Sequence, residues 1–201
     1  MSALPEAHRQ MTEAEYLALE RSSQVKHEFI AGEVYAMSGA SEPHNLITTS
    51  TIAILYNQLR GRPCKLYPSD MKVRTPATGS YAYPDITVVC GEALFADDQR
   101  DVLLNPTAII EVISPSTERY DRGRKFQHYR ELDSLQEYIL IAQDSPRMER
   151  FVRQENLFWQ FNEAHGIDAA LELSSIGCTL TLAEIYEQVS FEPEQDEGQG
   201  E

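Results

Sequence analysis

Two stretches of the chain are apolar at nearly every position. Tyr83–Cys90 and Thr107–Ile113 are rich in β-branched residues and predict strands covered on both faces. Pro115 ends the second, since it has no N–H to give a ladder. Glu137–Ala142 predicts a further strand, and Lys65–Tyr67 and Met71–Arg74 predict two more around Pro68-Ser69-Asp70. Hairpins are expected from Val25–Ile30 with Glu33–Met37, and from Met148–Val152 with Leu157–Phe161.

Four segments carry helical signals. Thr12 and Glu15 form a capping box, with Met11 and Tyr16 as its staple, for a helix to about Arg21. Ser41-Glu42-Pro43 opens a second, with apolar positions including Leu46, Ile47, Ile52, Leu55 and Leu59, and Gly61-Arg62-Pro63 stops it. Asp121 is expected to cap a helix to about Leu132, with Phe126 and Tyr129 in the core. Thr181 and Glu184 predict a short last helix to about Gln188. Trp159 reads as hairpin packing. This order predicts one α/β (α+β) domain over residues 1–190, with a mixed sheet rather than a regular doubly wound one. Residues 191–201, acidic and poor in apolar side chains, are expected to form a disordered tail.

The 201 residues give room for a real core. The formal charge of −15 argues against a polybasic nucleic-acid binder and against docking on anionic membranes. Yet ten of the 17 bases fall in two windows, Arg60–Arg74 and Arg119–Arg130, each with five bases against one acid. Both adjoin the site proposed below and fit a local phosphate-binding face. No apolar run approaches the roughly 20 residues of a membrane helix, and no secretory leader is visible. Cys64, Cys90 and Cys178 are far apart and in no C-x-x-C pair. They are expected to be three buried thiols in a reducing cytoplasm, not a zinc knuckle or a disulfide framework.

Candidate chemistry lies in two acids. Asp85 follows Pro84, and Glu111 sits inside Ile109-Ile110-Glu111-Val112-Ile113. A carboxylate in a buried apolar strand is costly unless it is paired, protonated or bound to a cation. Two readings stay open on this ground. The acids share one Mg²⁺, which takes oxygen ligands and keeps waters for a phosphate, or Glu111 pairs with a base from the following helix.

Pro84-Asp85, 25 intervening residues and Glu111 in an apolar strand resemble the PD-(D/E)XK nuclease pattern. The surrounding text is more specific: His27-Glu28-Phe29-Ile30-Ala31-Gly32-Glu33-Val34-Tyr35, Ser69-Asp70-Met71-Lys72-Val73-Arg74, Glu111-Val112-Ile113-Ser114-Pro115-Ser116-Thr117, Tyr120-Asp121-Arg122-Gly123-Arg124-Lys125-Phe126 and Ser134-Leu135-Gln136-Glu137-Tyr138. Over roughly residues 10–190 the chain resembles the Uma-two family of restriction-endonuclease-like nucleases. The resemblance implies a mixed β-sheet core flanked by helices, with Asp85 and Glu111 holding Mg²⁺ or Mn²⁺. It departs from the nuclease pattern at position 113, where Ile stands in place of Lys. The resemblance implies that Lys125, on the next helix, takes that role. Read alone, Lys125 is an exposed i+4 partner of Asp121.

The same resemblance makes Glu33 a third site acid; otherwise it is a solvated hairpin carboxylate. His44 reads as a cap or packing residue before a general base, and Asp70 as a turn residue before a site acid. The expected function is metal-dependent hydrolysis of DNA phosphodiester bonds, with a homodimer as the expected assembly. Two other readings stand beside it: a catalytically silent binding or regulatory module on the same fold, and a metal hydrolase of smaller phosphoesters.

Overall fold

The computed structural model describes residues 10–156 and 158–191. The expected tail beyond residue 191 therefore lies outside the described residues. Helix α1 (Glu13–Ser22) starts at the Thr12–Glu15 capping box, which is formed in both directions. Strands β1 (His27–Ile30) and β2 (Glu33–Ala36) make the first hairpin. Its turn, Ala31-Gly32, holds both residues at positive φ, a conformation that Gly adopts without steric cost. Helix α2 (Glu42–Leu59) begins at the Ser41 cap and buries Ile47, Thr51, Leu55 and Leu59.

Strands β3 (Cys64–Pro68), β4 (Lys72–Thr75), β5 (Ser80–Ala82), β6 (Ile86–Cys90), β7 (Val102–Leu103) and β8 (Ala108–Ile113) follow. A helical segment comes next, as α3 (Glu118–Tyr120), a π-helical turn (Asp121–Lys125) and α4 (Phe126–Tyr129). Strands β9 (Glu137–Ala142), β10 (Arg147–Arg153), β11 (Trp159–His165), β12 (Ala170–Leu173) and β13 (Cys178–Thr181) lead to α5 (Leu182–Ile185).

The strands form a mixed six-stranded sheet, β11-β10-β9-β8-β6-β3, a five-stranded sheet, β2-β1-β5-β4-β7, and the β12–β13 hairpin. In the six-stranded sheet β8 and β9 are parallel, and α3, the π turn and α4 make the crossover between them. Every residue of β8 and β9 is buried, as their apolar runs predict. Side chains alternate across the sheet. Ala108, Ile110 and Val112 pack on the α2 and α5 side, while Ile109 and Ile113 face Tyr129, Leu132 and Leu135. Glu111 has the parity of the second set.

Several expectations need correction. The predicted strand Tyr83–Cys90 is only Ile86–Cys90, and the residues before it link β5 of one sheet to β6 of the other. Tyr83-Pro84-Asp85 crosses between them, because Pro84 cannot donate to a ladder. Asp121 caps nothing. The helical segment starts earlier, where Ser114 and Thr117 exchange backbone-to-hydroxyl hydrogen bonds and the Glu118 N–H donates to the Ser114 carbonyl at 2.8 Å. The hydroxyl of Thr181 binds the Glu184 side chain rather than a backbone N–H, so no full capping box forms there, and α5 ends at Ile185. The hairpin of β12 and β13 adds to the predicted elements. Finally, Cys64 and Cys90 are not thiols. They stand directly opposite each other on antiparallel β3 and β6 and form a disulfide, and only Cys178 is a free, buried cysteine among the described residues. Their separation in sequence conceals a pairing that register creates. Among the described residues no helix is long and apolar enough to cross a membrane.

Candidate active site

The site grows from the register of β6 and β8. Ile86 pairs with Ile110 and Thr87 with Ile109, so one step further the antiparallel ladder brings Asp85 opposite Glu111. The contacts agree. The Val112 N–H donates to Asp85 Oδ2 at 2.7 Å, and the Asp85 N–H points at Glu111 Oε2 at 3.4 Å. The first turn of α2 closes this end, placing His44 Nε2 3.1 Å from Asp85 Oδ2.

Lys125 comes to Glu111 from the opposite side. The π turn faces it inward, and its ammonium lies 3.0 Å from Glu111 Oε1, 3.3 Å from Asp121 Oδ1 and 3.3 Å from Glu28 Oε1. Both readings of Lys125 are thus realised at once: it meets the strand acid and its i+4 neighbour. It is not exposed, however; Lys125, Glu111 and Glu28 are 7%, 3% and 6% accessible. Tyr129, in the core as expected, donates its hydroxyl to Glu111 Oε1 at 3.2 Å, and Tyr120 donates to Glu28 Oε2 at 2.9 Å.

Burial opposes charge here, and the neighbours decide where protons sit. Glu111 is pushed well above the ordinary carboxylate range by burial, with Asp85, Asp121 and Glu28 adding repulsion that Lys125 only partly offsets. Burial raises Asp121 as well. The ammonium of Lys125 pays for its own burial, but Glu111 and Glu28 hold its proton firmly. The cluster therefore has more acid than base, in a place where water cannot screen it.

The structure brings together Asp85, Glu111 and Lys125 from the expected set. Glu33 sits elsewhere on the hairpin, where its carboxylate accepts from the Tyr35 hydroxyl. Asp70 is exposed and pairs with Lys26. Glu28 is the acid that sequence reasoning passed over. It shares a strand face with buried Ile30, the same signal that marks Glu111, but a four-residue strand shows too little of the pattern to stand out. Phe126 stacks on Tyr138, and Trp159 packs edge-on against Phe126 and beneath Arg153, both as core and hairpin packing.

The basic windows divide. In the first, Arg74 pairs with Glu13, Lys72 with Asp101, and Arg62 donates to the Ile176 and Gly177 carbonyls, while Arg60 and Lys65 are exposed. In the second, Arg119, Arg122 and Arg124 are exposed on the same segment as Lys125, although Arg122 is shared by Glu118 and Glu149.

The sequence model of the Uma2 family, described as "Putative restriction endonuclease", matches residues 13–183. The chain belongs to the Uma2 family. Two Synechocystis proteins are similar to it along most of their length. Uncharacterized protein slr1290 is 34% identical over 182 residues, which is 88% of this chain and 92% of the relative. Uncharacterized protein sll1609 is 36% identical over 164 residues, 82% and 93% respectively. Among solved structures, that of a putative nuclease belonging to DUF820 from Anabaena variabilis shares the fold. Its TM-score is 0.73 at 16% identity, over 88% of this chain and 98% of the other. The restriction-endonuclease-like architecture expected from the resemblance is thus the observed one.

The Uma2 resemblance implies a divalent cation, and the donor set can be tested for one. Two hydrogen bonds fall on Asp85 Oδ2, and Oδ1 has no partner among the described residues. Glu111 Oε1 takes both Lys125 and Tyr129, while Oε2 has only the long contact from the Asp85 N–H. Two lightly committed carboxylate oxygens thus remain in a cluster with surplus negative charge. Among the described residues no three His, Cys, Asp or Glu side chains converge to enclose an ion alone. Two acids with places left for water and phosphate suit Mg²⁺ or Mn²⁺ better than a closed structural site.

Proposed function

We propose that this Uma2 protein is a Mg²⁺- or Mn²⁺-dependent endonuclease that hydrolyses DNA phosphodiester bonds. The observation that carries the reading is the β6–β8 register. It sets Asp85 beside Glu111, each with one lightly bonded carboxylate oxygen, and the Lys125 ammonium lies 3.0 Å from Glu111. The family's description and the fold shared with the Anabaena protein support a nuclease.

In this reading Asp85 and Glu111 hold the cation. When bound, it supplies a Lewis acid for a phosphoryl oxygen and lowers the pKa of water. Lys125 provides a positive charge beside the position where the phosphate gains negative charge. Glu28 and Asp121 keep that ammonium protonated and aimed, and the Tyr129 hydroxyl fixes the Glu111 oxygen that does not serve the cation. Arg119 and Arg124, exposed on the same segment, would meet flanking phosphates in this reading.

The test is nicking of supercoiled plasmid by the purified protein with Mg²⁺, with Mn²⁺ and with chelator. Cleavage should require metal. Asp85→Ala and Glu111→Ala should each lower it at least about a hundred-fold, the scale of losing a principal electrostatic contributor. Variants that fold and cleave like the parent would refute the assignment. So would a parent that binds DNA but cuts none with either metal, which is the behaviour of a catalytically silent module.

A further inference from the structure

His44 was expected to cap or pack, and its backbone does join the cap: its N–H points at Ser41 Oγ, at 3.4 Å. Its side chain does something else. Nε2 lies 3.1 Å from Asp85 Oδ2, while Nδ1 is sealed from solvent with no hydrogen-bond partner. An enclosed ring nitrogen without a partner is a cost that stability alone would not keep, since an apolar or amide side chain fills the same space without it. With Nδ1 enclosed and unpaired, the ring proton belongs on Nε2, where the carboxylate accepts it.

Asp85 needs that bond for its orientation. The Val112 N–H alone leaves the carboxyl free to turn about its last bond; a second donor on the same oxygen fixes the plane. Among the described residues the imidazole is the one side chain that hydrogen-bonds the Asp85 carboxylate. The platform beneath His44 is itself tied down. Thr48 donates to the His44 carbonyl at 2.8 Å. Ser41 Oγ bonds Gln143 Oε1 at 2.9 Å, and the Gln143 N–H donates to the Ile113 carbonyl at 2.9 Å. The start of α2 is thereby tied to the end of β8.

We propose that His44 is a positioning residue of the cation site: it clamps Asp85 Oδ2 so that Oδ1 faces the metal. The inference rests on the reading of Asp85 and Glu111 as cation ligands. A carboxylate ligand is itself held by hydrogen bonds from outside, and losing such a support typically costs affinity rather than fold.

The experiment titrates Mn²⁺ into the parent, His44→Ala and His44→Gln, following free and bound Mn²⁺ by electron paramagnetic resonance, with thermal unfolding in chelator as the control for folding. His44→Ala should bind Mn²⁺ roughly ten- to a hundred-fold more weakly. His44→Gln, which keeps an N–H donor at similar reach, should recover most of that loss. Mn²⁺ bound to the parent should show no nitrogen hyperfine coupling from imidazole, because His44 touches Asp85 and not the ion. Affinity in a folded His44→Ala equal to the parent's overturns the proposal, as does a His44→Gln no better than His44→Ala. Imidazole coupling overturns it in favour of direct ligation. Should His44→Ala fail the folding control, the Gln variant and the coupling decide. No Mn²⁺ binding by the parent removes the underlying reading as well, a result distinct from the others.

Discussion

Lys125 keeps its charge because of what faces it: Glu111, Glu28 and Asp121, all buried with it. Replacing it by a chain of similar length without charge, Lys125→Met, leaves three carboxylates crowded and unneutralised. In metal-free protein at neutral pH this should cost about 3 kcal/mol of stability. The loss should depend on pH with a definite sign. Glu111 and Asp121 already lie above the ordinary carboxylate range, and the variant lacks the charge that holds them down. Folded protein then keeps protons that the unfolded chain has released. That contribution is full below the unfolded carboxylate pKa of about 4 and is lost as the pH rises through the raised values. Urea unfolding of the variant should therefore approach the parent near pH 5 and fall furthest behind near pH 8. A pH-independent difference, or none, would show that the ammonium does not neutralise these acids. At this scale much of the site was legible in the sequence. Glu111 was marked by its apolar strand, and Asp85 and Lys125 by the family's motifs. Glu28 and His44 were not, because each reaches the site from an element remote in sequence and is recognised only by what it touches.

The elements were legible where an apolar run or a cap carries them by itself. β8, β9, α2 and the Thr12 cap of α1 stand close to their expected bounds. They were illegible where pairing decides. The break at Pro84 shortens an apolar run to β6 and links it to a strand of the other sheet. The Ser114–Thr117 turn moves a helix start away from Asp121. The register of β3 against β6 sets Cys64 opposite Cys90. The disulfide has a consequence for the site, since Cys90 closes one end of β6 and Ile86 at the other adjoins Asp85. Closing a loop with a sequence separation of 26 residues should be worth roughly 3 kcal/mol through the unfolded chain. Denaturant unfolding with and without dithiothreitol, and of Cys64→Ser in comparison, should show a loss of that size in both cases. A reduced protein as stable as the oxidised one would contradict a bonded pair.

Across the whole molecule the charge of −15 conceals a division of labour. In the first window Lys72 and Arg74 are taken up by ion pairs and Arg62 by carbonyls, while Arg60 and Lys65 stay exposed. On the helical crossover Arg119, Arg122 and Arg124 remain exposed, while Lys125 is buried in the site. Some of the acidity is spent inside the site, where Glu28, Asp85, Glu111 and Asp121 outnumber the one ammonium. That surplus is what a divalent cation would balance, and the fold brings it about by joining two sheets at Tyr83-Pro84-Asp85. Such a junction cannot be read from local sequence, because the hairpin acid and the strand acids belong to different sheets. The proposed nuclease chemistry rests on a cation shared by Asp85 and Glu111. Crystals soaked in Mn²⁺ and measured at the manganese absorption edge test it most directly. One strong anomalous peak is expected within about 2.0–2.3 Å of both Asp85 Oδ1 and Glu111 Oε2, the range of small divalent ions with oxygen ligands. No peak at a saturating soak, or a peak away from these two carboxylates, would contradict it.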